Sequence, residues 1–305
     1  MAHTNGGDSI RGLKWCRKTP AKVGIEVGAS TVSRLLKKLL GYSLRVNHKT
    51  VESGNKNPPK PKERDQQFDY ISDRRKSFAR RGNPIISVDT KKKELIGNFK
   101  NDGRAWTKEP EPVNDHDFPS DALGRIVPYG IYDTQANCGW VCVGTSAETP
   151  ALAVDTIEKW WREEGRTRYP RKTELLILAD CGGANGSRSR VWKYRIQKQL
   201  CDGHGLTVTI CHYPPGASKW NPIEHRLFSE ISKNWAGKPL KTVRTALNYI
   251  RTTRTDTGLR IKAHLVRKIY KTGEKVPQEE MDALRITRPQ NRKNWNYRIS
   301  PHPKM

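Results

Sequence analysis

The run Pro84-Ile-Ile-Ser-Val-Asp89 decides how this chain folds. It is short, largely β-branched and has no polar face to offer solvent, so it reads as a strand covered on both sides. A carboxylate closes it. Leu175-Leu-Ile-Leu-Ala-Asp180 repeats the pattern: a strand too apolar for a sheet edge, ending on an acid. Two such strands put both acids at the carboxyl edge, where open α/β sheets form their ligand crevices.

Working outward, residues 125–132 and 140–145 read as strands that meet across Asp133-Thr-Gln-Ala-Asn-Cys-Gly139, and residues 206–212 as a fifth strand. Residues 151–164 and 188–201 have helical composition and period. The order predicts an α/β fold with a mixed five-stranded sheet flanked by helices. An antiparallel meander comes first, and right-handed crossovers then add parallel strands. No internal repeat is visible.

Upstream, residues 1–19 lack an apolar period, and residues 21–27 read as a short helix that turns at Gly28. A second helix follows, with Val32, Leu35, Leu36 and Leu39 on one face and Ser33, Arg34, Lys37 and Lys38 on the other; Gly41 ends it. A helix-turn-helix and a plain helical hairpin with a solvated basic face both fit this spacing. Residues 43–66 read as a polar linker and residues 67–81 as an amphipathic helix stopped by Gly82. The expected division is therefore a basic helix-turn-helix-like segment over 1–42, linker and helix over 43–83, a catalytic core over 84–236, and a basic segment over 237–305. That last part has a Thr- and Arg-rich helical stretch and a tail, Trp295-Asn-Tyr-Arg-Ile-Ser-Pro301, with no evident place.

Charge follows this division. Of the net +26, residues 1–83 carry +12, residues 84–236 only +2, and residues 237–305 another +12. Two basic flanks bracket a near-neutral core, the footprint of a chain that binds a polyanion, most commonly nucleic acid. No apolar run is long enough to span a membrane and the N-terminus lacks the apolar centre of a signal peptide, so a cytosolic setting and no membrane partner are expected. The six cysteines form no CxxC pair and read as incidental thiols.

The third informative acid is Glu224, in Trp220-Asn-Pro-Ile-Glu-His-Arg226. Asn221 reads as the N-cap of a helix, Pro222 as its first residue and Glu224 as N3, while Ile223, Leu227, Ile231 and Trp235 form its apolar face. A glutamate at N3 is also the partner in a capping box, and an aspartate ending a strand is often a turn residue. Three converging carboxylates, by contrast, make a hard-oxygen site for divalent metal, which on so basic a chain means phosphodiester chemistry. Cys181-Gly-Gly-Ala-Asn-Gly-Ser187 matches neither GxGxxG nor GxxxxGK[ST], which excludes a nucleotide-triphosphatase loop. Lys91, Lys92 and Lys93 follow Asp89, and Lys219, Trp220, His225 and Arg226 flank Glu224. Phosphate contact and base stacking are expected of these groups, with a merely solvated charge run as the bland reading of the lysines.

Several longer segments resemble a known family: Ser87-Val-Asp-Thr-Lys-Lys-Lys-Glu-Leu95, Pro128-Tyr-Gly-Ile-Tyr-Asp133, Ala179-Asp-Cys-Gly-Gly-Ala-Asn-Gly-Ser-Arg188, and Cys211-His-Tyr-Pro-Pro-Gly-Ala-Ser-Lys-Trp-Asn-Pro-Ile-Glu-His-Arg-Leu-Phe228. With Trp295-Asn-Tyr297 they resemble the DDE transposases of bacterial insertion sequences, specifically the ISAzo13 group, related to the IS630/mariner type. The resemblance runs from about Trp15 to Pro301. It implies an RNase H-like core with Asp89, Asp180 and Glu224 as a triad binding Mg²⁺, or Mn²⁺ in its place. It also implies double-stranded DNA as partner, both terminal inverted repeats and target, a homo-oligomer on that DNA, and a bacterial, nucleoid-associated setting. Members of the group carry further DNA-binding helices ahead of the segment that begins here just before Leu13-Lys-Trp-Cys16, so a truncated copy is expected. Two other readings use the same residues: a nuclease of the same core without strand transfer, and a DNA-binding regulator with a silent core. A basic structural nucleic-acid protein would scatter its acids instead of placing two at strand tips.

Overall fold

The computed structural model describes residues 29–41, 60–289 and 295–303. Met1–Ser53 and Gly54–Met305 form two compact units. In the first, α1 (Ala29–Lys38) carries Lys37 and Lys38 in its last turn, and Gly41 follows at φ +64°. Arg34, Lys37 and Lys38 are exposed, but so are Leu35 at 41% and Leu39 at 75%, on the face expected to be covered. The first helix of the expected helix-turn-helix lies outside the described residues.

The second unit is a mixed α/β structure around one sheet of nine strands among the described residues: β1 (Ile85–Thr90), β2 (Glu94–Ile96), β3 (Gly124–Asp133), β4 (Cys138–Gly144), β5 (Glu174–Ala179), β6 (Thr207–His212), β7 (Arg260–Val266), β8 (Ile286–Thr287) and β9 (Asn296–Ile299). Their order is β7-β4-β3-β1-β5-β6-β9-β8, with β2 paired to β3 outside this path. All five expected strands are present. β3 pairs antiparallel with both β1 and β4, while β1, β5 and β6 run parallel, as a meander followed by crossovers requires.

The sheet is larger than the five strands expected, and most of the excess comes from the C-terminal part. β7 adds parallel to β4, and the tail without an evident place is β9, antiparallel to β6. Arg260-Ile-Lys-Ala-His-Leu-Val266 does alternate, but its exposed Arg260 and Lys262 mask the signal, and β9 is only four residues long.

Helices cover both faces. α3 (Pro150–Trp160) is capped by the Thr149 hydroxyl, which accepts from Leu152 N–H, and continues as a π-helical turn (Trp161–Gly165) into the single turn α4 (Arg166–Arg168). α5 (Arg190–Arg195), capped by Ser189, runs on as a π turn over Ile196–Asp202. Their Ile157, Trp160, Trp192 and Ile196 pack with Leu175, Ile177 and Ala179 of β5. On the other face, α2 (Pro61–Arg80) lays Ile71 and Phe78 against Leu176 and Leu178. Further along that face lie a π turn (Glu224–Phe228), α6 (Ser229–Asn234) and α7 (Val243–Thr252); the short α8 (Gln278–Asp282) comes last. Alternate residues of β5 thus enter different cores, which is why the strand is apolar throughout. α2 begins six residues before the expected helix: Pro61 opens it, and Glu63 accepts from Lys60 N–H at 3.1 Å.

Candidate active site

β1 and β5 are parallel neighbours with Ser87 opposite Leu178, so Asp89 and Asp180, each two residues further on, reach the same edge at the same height. Glu224 is brought to them by hydrogen bonds that the sequence hides. Asn221 is fully buried; its side chain donates to the Val88 carbonyl at 3.2 Å and accepts from the Ser87 hydroxyl. The Ser87 hydroxyl in turn accepts from Ile223 N–H at 3.0 Å. Asn221 is therefore not the side-chain cap expected of it: Ser87, from β1, caps this helix start and fixes it to the strand that ends on Asp89. Gly130 makes room, since a Cβ there would stand 2.6 Å from Phe228 and 3.0 Å from Ile223. A π turn begins at Glu224 itself, an irregularity common at functional sites.

The three carboxyl groups act on one another. Burial, then the Asp180 charge, push Asp89 up to about 8, against the pull of the Thr90 N–H that donates to it at 2.7 Å. Asp180 is pushed up to about 6, chiefly by burial, with Glu224 and Glu148 adding to the rise and Gly182 N–H and the Asn185 side chain opposing it. Glu224 is also raised by burial, and a hydrogen bond from Asp89 and the charge of Lys91 hold it down. Burial thus raises all three carboxyl groups in one neighbourhood, and mutual repulsion adds to the rise at Asp89 and Asp180.

A polar scaffold behind Asp180 was not visible in the sequence. Tyr129, fully buried, donates to Asn185 at 2.6 Å, and burial with the nearby Asp89 and Asp180 charges holds its phenol protonated. His212 is fully buried and pushed down to about 4 by desolvation, so the ring is neutral. Its Nδ1 donates to the Asp180 carbonyl at 2.7 Å, and Nε2 accepts from the Tyr297 hydroxyl at 3.0 Å, which itself accepts from Trp192 Nε1 at 2.9 Å. Gln67 of α2 donates to the His212 carbonyl at 2.9 Å. The Trp-Asn-Tyr tail therefore supports Asp180.

The basic residues divide. Lys91 is buried, pairs with Glu94 at 2.8 Å and lies over the Trp235 ring, so its ammonium faces inward. Lys92 and Lys93 face solvent, Lys93 pairing with Glu148 at 3.0 Å. Lys219 lies over Trp220, which is 58% exposed and edge-on to Phe68, and Arg226 is exposed beside Glu224. Arg75 of α2, absent from the sequence reading, acts on Tyr132 together with Arg226. His225 is exposed and bound through its ring to the Lys219 carbonyl.

Among the described residues, no three His, Cys, Asp or Glu side chains close on one point as they stand. The donor set nonetheless fits a hard divalent cation. It offers three carboxyl groups, Asp180 Oδ1 is buried without a hydrogen-bond partner, and the mutual repulsion that raises Asp89 and Asp180 is relieved by positive charge.

No curated protein matches the chain significantly. Among solved structures, its backbone is similar to the crystal structure of the mariner Mos1 paired end complex with Mg, at 12% identity and TM-score 0.48, over 76% of this chain and 64% of that one. It is similar likewise to the Mos1 strand transfer complex, at 12% identity and TM-score 0.48 over 76% and 63%, and to the Mos1 paired-end complex with left transposon end, at 11% and 0.44 over the same shares. This chain thus spans less than two thirds of the length of those proteins. The model of the Rhodopirellula transposase DDE domain family matches residues 2–301, nearly the whole chain, and the chain belongs to that family.

Proposed function

We propose that this DDE transposase cuts the inverted repeats at the ends of an insertion sequence and joins them to target DNA, with Asp89, Asp180 and Glu224 as the catalytic acids. The observation that carries this is geometric: β1 and β5 bring Asp89 and Asp180 to one edge, and Asn221 and Ser87 fasten the helix start that carries Glu224 to the strand that carries Asp89, 135 positions away in the chain. Packing alone gives no reason to bury and crowd like charges there. The three acids would hold Mg²⁺, or Mn²⁺, which when bound lowers the pKa of an attacking hydroxyl and stabilises the departing oxygen.

The remaining work falls to this chain's own groups. Lys92, Lys93, Lys219 and Arg226 hold the phosphates on either side, Trp220 stacks a base, and Arg34, Lys37 and Lys38 of α1 grip the duplex elsewhere. Lys91 is left out of this set because it is buried and paired. In the first step a water oxygen bonds to phosphorus as the P–O3′ bond breaks; one water proton ends on the departing oxygen, which leaves as a 3′-hydroxyl, and the other passes to solvent from the new 5′-phosphate. In the second, that hydroxyl attacks a target phosphodiester and frees a new 3′-hydroxyl. Each step makes one P–O bond and breaks one, so neither a covalent enzyme intermediate nor ATP is required. A homo-oligomer on DNA brings the two ends together.

The test is Mg²⁺-dependent cleavage and joining of a duplex bearing the inverted repeat read from the DNA flanking the gene. Asp89→Asn, Asp180→Asn and Glu224→Gln should each lower the rate on the order of a thousandfold. Any one of them retaining near-normal turnover removes that residue from the triad.

A further inference from the structure

Beside the triad lies an open cavity of about 420 Å³, walled by Lys91, Lys92, Lys93, Leu95, Arg125 and Glu148. Lys91 is committed to Glu94, and Lys92 and Arg125 carry no ion pair among the described residues. Glu148 is the one anion in this wall, and it neutralises Lys93 at 3.0 Å. The carboxylate is fixed: Oε1 accepts from Ala184 N–H at 3.4 Å, and a Cβ on Gly183, which sits at φ +58°, would come within 2.7 Å of that oxygen. Glu148 also directly precedes Thr149, the cap of α3, so its backbone is held by a helix start. Lys93, on a long stem with many rotamers, has a side chain that is 41% exposed.

We infer that this cavity is the seat of a DNA backbone phosphate next to the scissile bond, and that Glu148 stands in for that phosphate on Lys93 until DNA arrives. The inference rests on the transposase reading above and adds two residues to it, Arg125 and Glu148. Three cations against one carboxylate leave an excess of positive charge that a phosphodiester answers, and the cavity opens directly beside Thr90, the residue after Asp89. When Lys93 turns to the phosphate, Glu148 loses its partner and opposes the incoming charge, so the chain carries its own brake on DNA binding.

The experiment is a double-mutant cycle on the full chain, binding the inverted-repeat duplex in EDTA, where no metal chemistry enters. Glu148→Gln keeps the acceptor for Ala184 N–H while removing the charge. It should bind roughly three- to tenfold more tightly than wild type, with up to about 0.9 added to the slope of log affinity against log salt. Lys93→Gln should weaken binding, and in that background Glu148→Gln should gain nothing. An equal gain in both backgrounds makes Glu148 a general repulsive charge and overturns the competition, as does no gain in either at an unchanged thermal midpoint. Binding by wild type without the predicted cycle sinks this inference alone; no binding by any form sinks the transposase reading with it.

Discussion

Asn221 donates its side-chain amide to the carbonyl of Val88 at 3.2 Å, one residue before Asp89. The helix start that carries Glu224 is therefore fastened to the strand that carries Asp89, and one buried side chain links two of the three acids proposed as catalytic. Asn221→Ala leaves the Val88 carbonyl and the Ser87 hydroxyl short of a partner in the dry interior, at a cost of about 1 to 3 kcal/mol. For a chain of this size that lowers the thermal midpoint by roughly 2 to 4 °C per kcal/mol. Activity should fall further than stability because Glu224 loses its anchor. A variant that melts like wild type and cleaves normally would show that the helix start is placed by packing instead.

The pH dependence of stability has a definite sign. Asp89 and Asp180 are raised in the folded chain, to about 8 and about 6, against unfolded values near 4. Between these limits the native state keeps protons that the unfolded state releases. Their stabilising contribution is full below about pH 4 and is lost as pH rises through 6 and then 8. Metal-free protein should weaken over this window under urea, and Asp89→Asn should weaken less. Divalent ions displace the same protons, so added Mg²⁺ should stabilise wild type more at the alkaline end. His212, lowered to about 4, works in the opposite direction below its ordinary value, but it is common to both proteins and cancels in the difference. Parallel curves for wild type and Asp89→Asn would contradict the assignment.

Tyr297 offers a test of the support behind Asp180. Its hydroxyl takes a hydrogen bond from Trp192 and gives one to His212, which holds the Asp180 carbonyl. Tyr297→Phe strands two buried polar atoms and should cost about 2 to 4 kcal/mol. Because the ring of His212 would then turn more freely, the thermal upshift given by Mn²⁺ should shrink beyond what lost stability explains. An unaltered metal response would make Tyr297 a packing residue only.

How much of this was legible depends on where the determining contacts lie. Asp89, Asp180 and strands β1 and β5 could be read because apolar strands with acidic tips are local patterns. Glu224 was readable as a position but not as a contact: the Ser87 and Asn221 bonds that bring it in span more than 130 residues. Lys91 belongs to one charge run with Lys92 and Lys93, yet Trp235 and Glu94 draw it inward, and no local rule separates the three. β9 could not be assigned because four residues acquire meaning only beside β6. Glu148 gave no motif at all, since its role comes from the Gly183 turn and Lys93.

Gly130 was legible only as a glycine inside a strand, and it tests whether close approach sets the site. It lies opposite Asp89 across the β1–β3 pair, and a methyl group there would press 2.6 Å from Phe228 at the end of the turn that begins with Glu224. The sheet cannot give way, because β3 is bonded on both edges, so the turn must lift and carry Glu224 with it. Gly130→Ala should therefore cost about 1 to 3 kcal/mol by overpacking and reduce the Mn²⁺-induced thermal upshift. Trimming the neighbour with Phe228→Leu in the same chain should recover part of the metal response even though it removes core volume. Recovery of the metal response without full recovery of stability separates placement of Glu224 from simple packing; no recovery would mean that the strain is taken up elsewhere and that Glu224 does not depend on the flatness of β3.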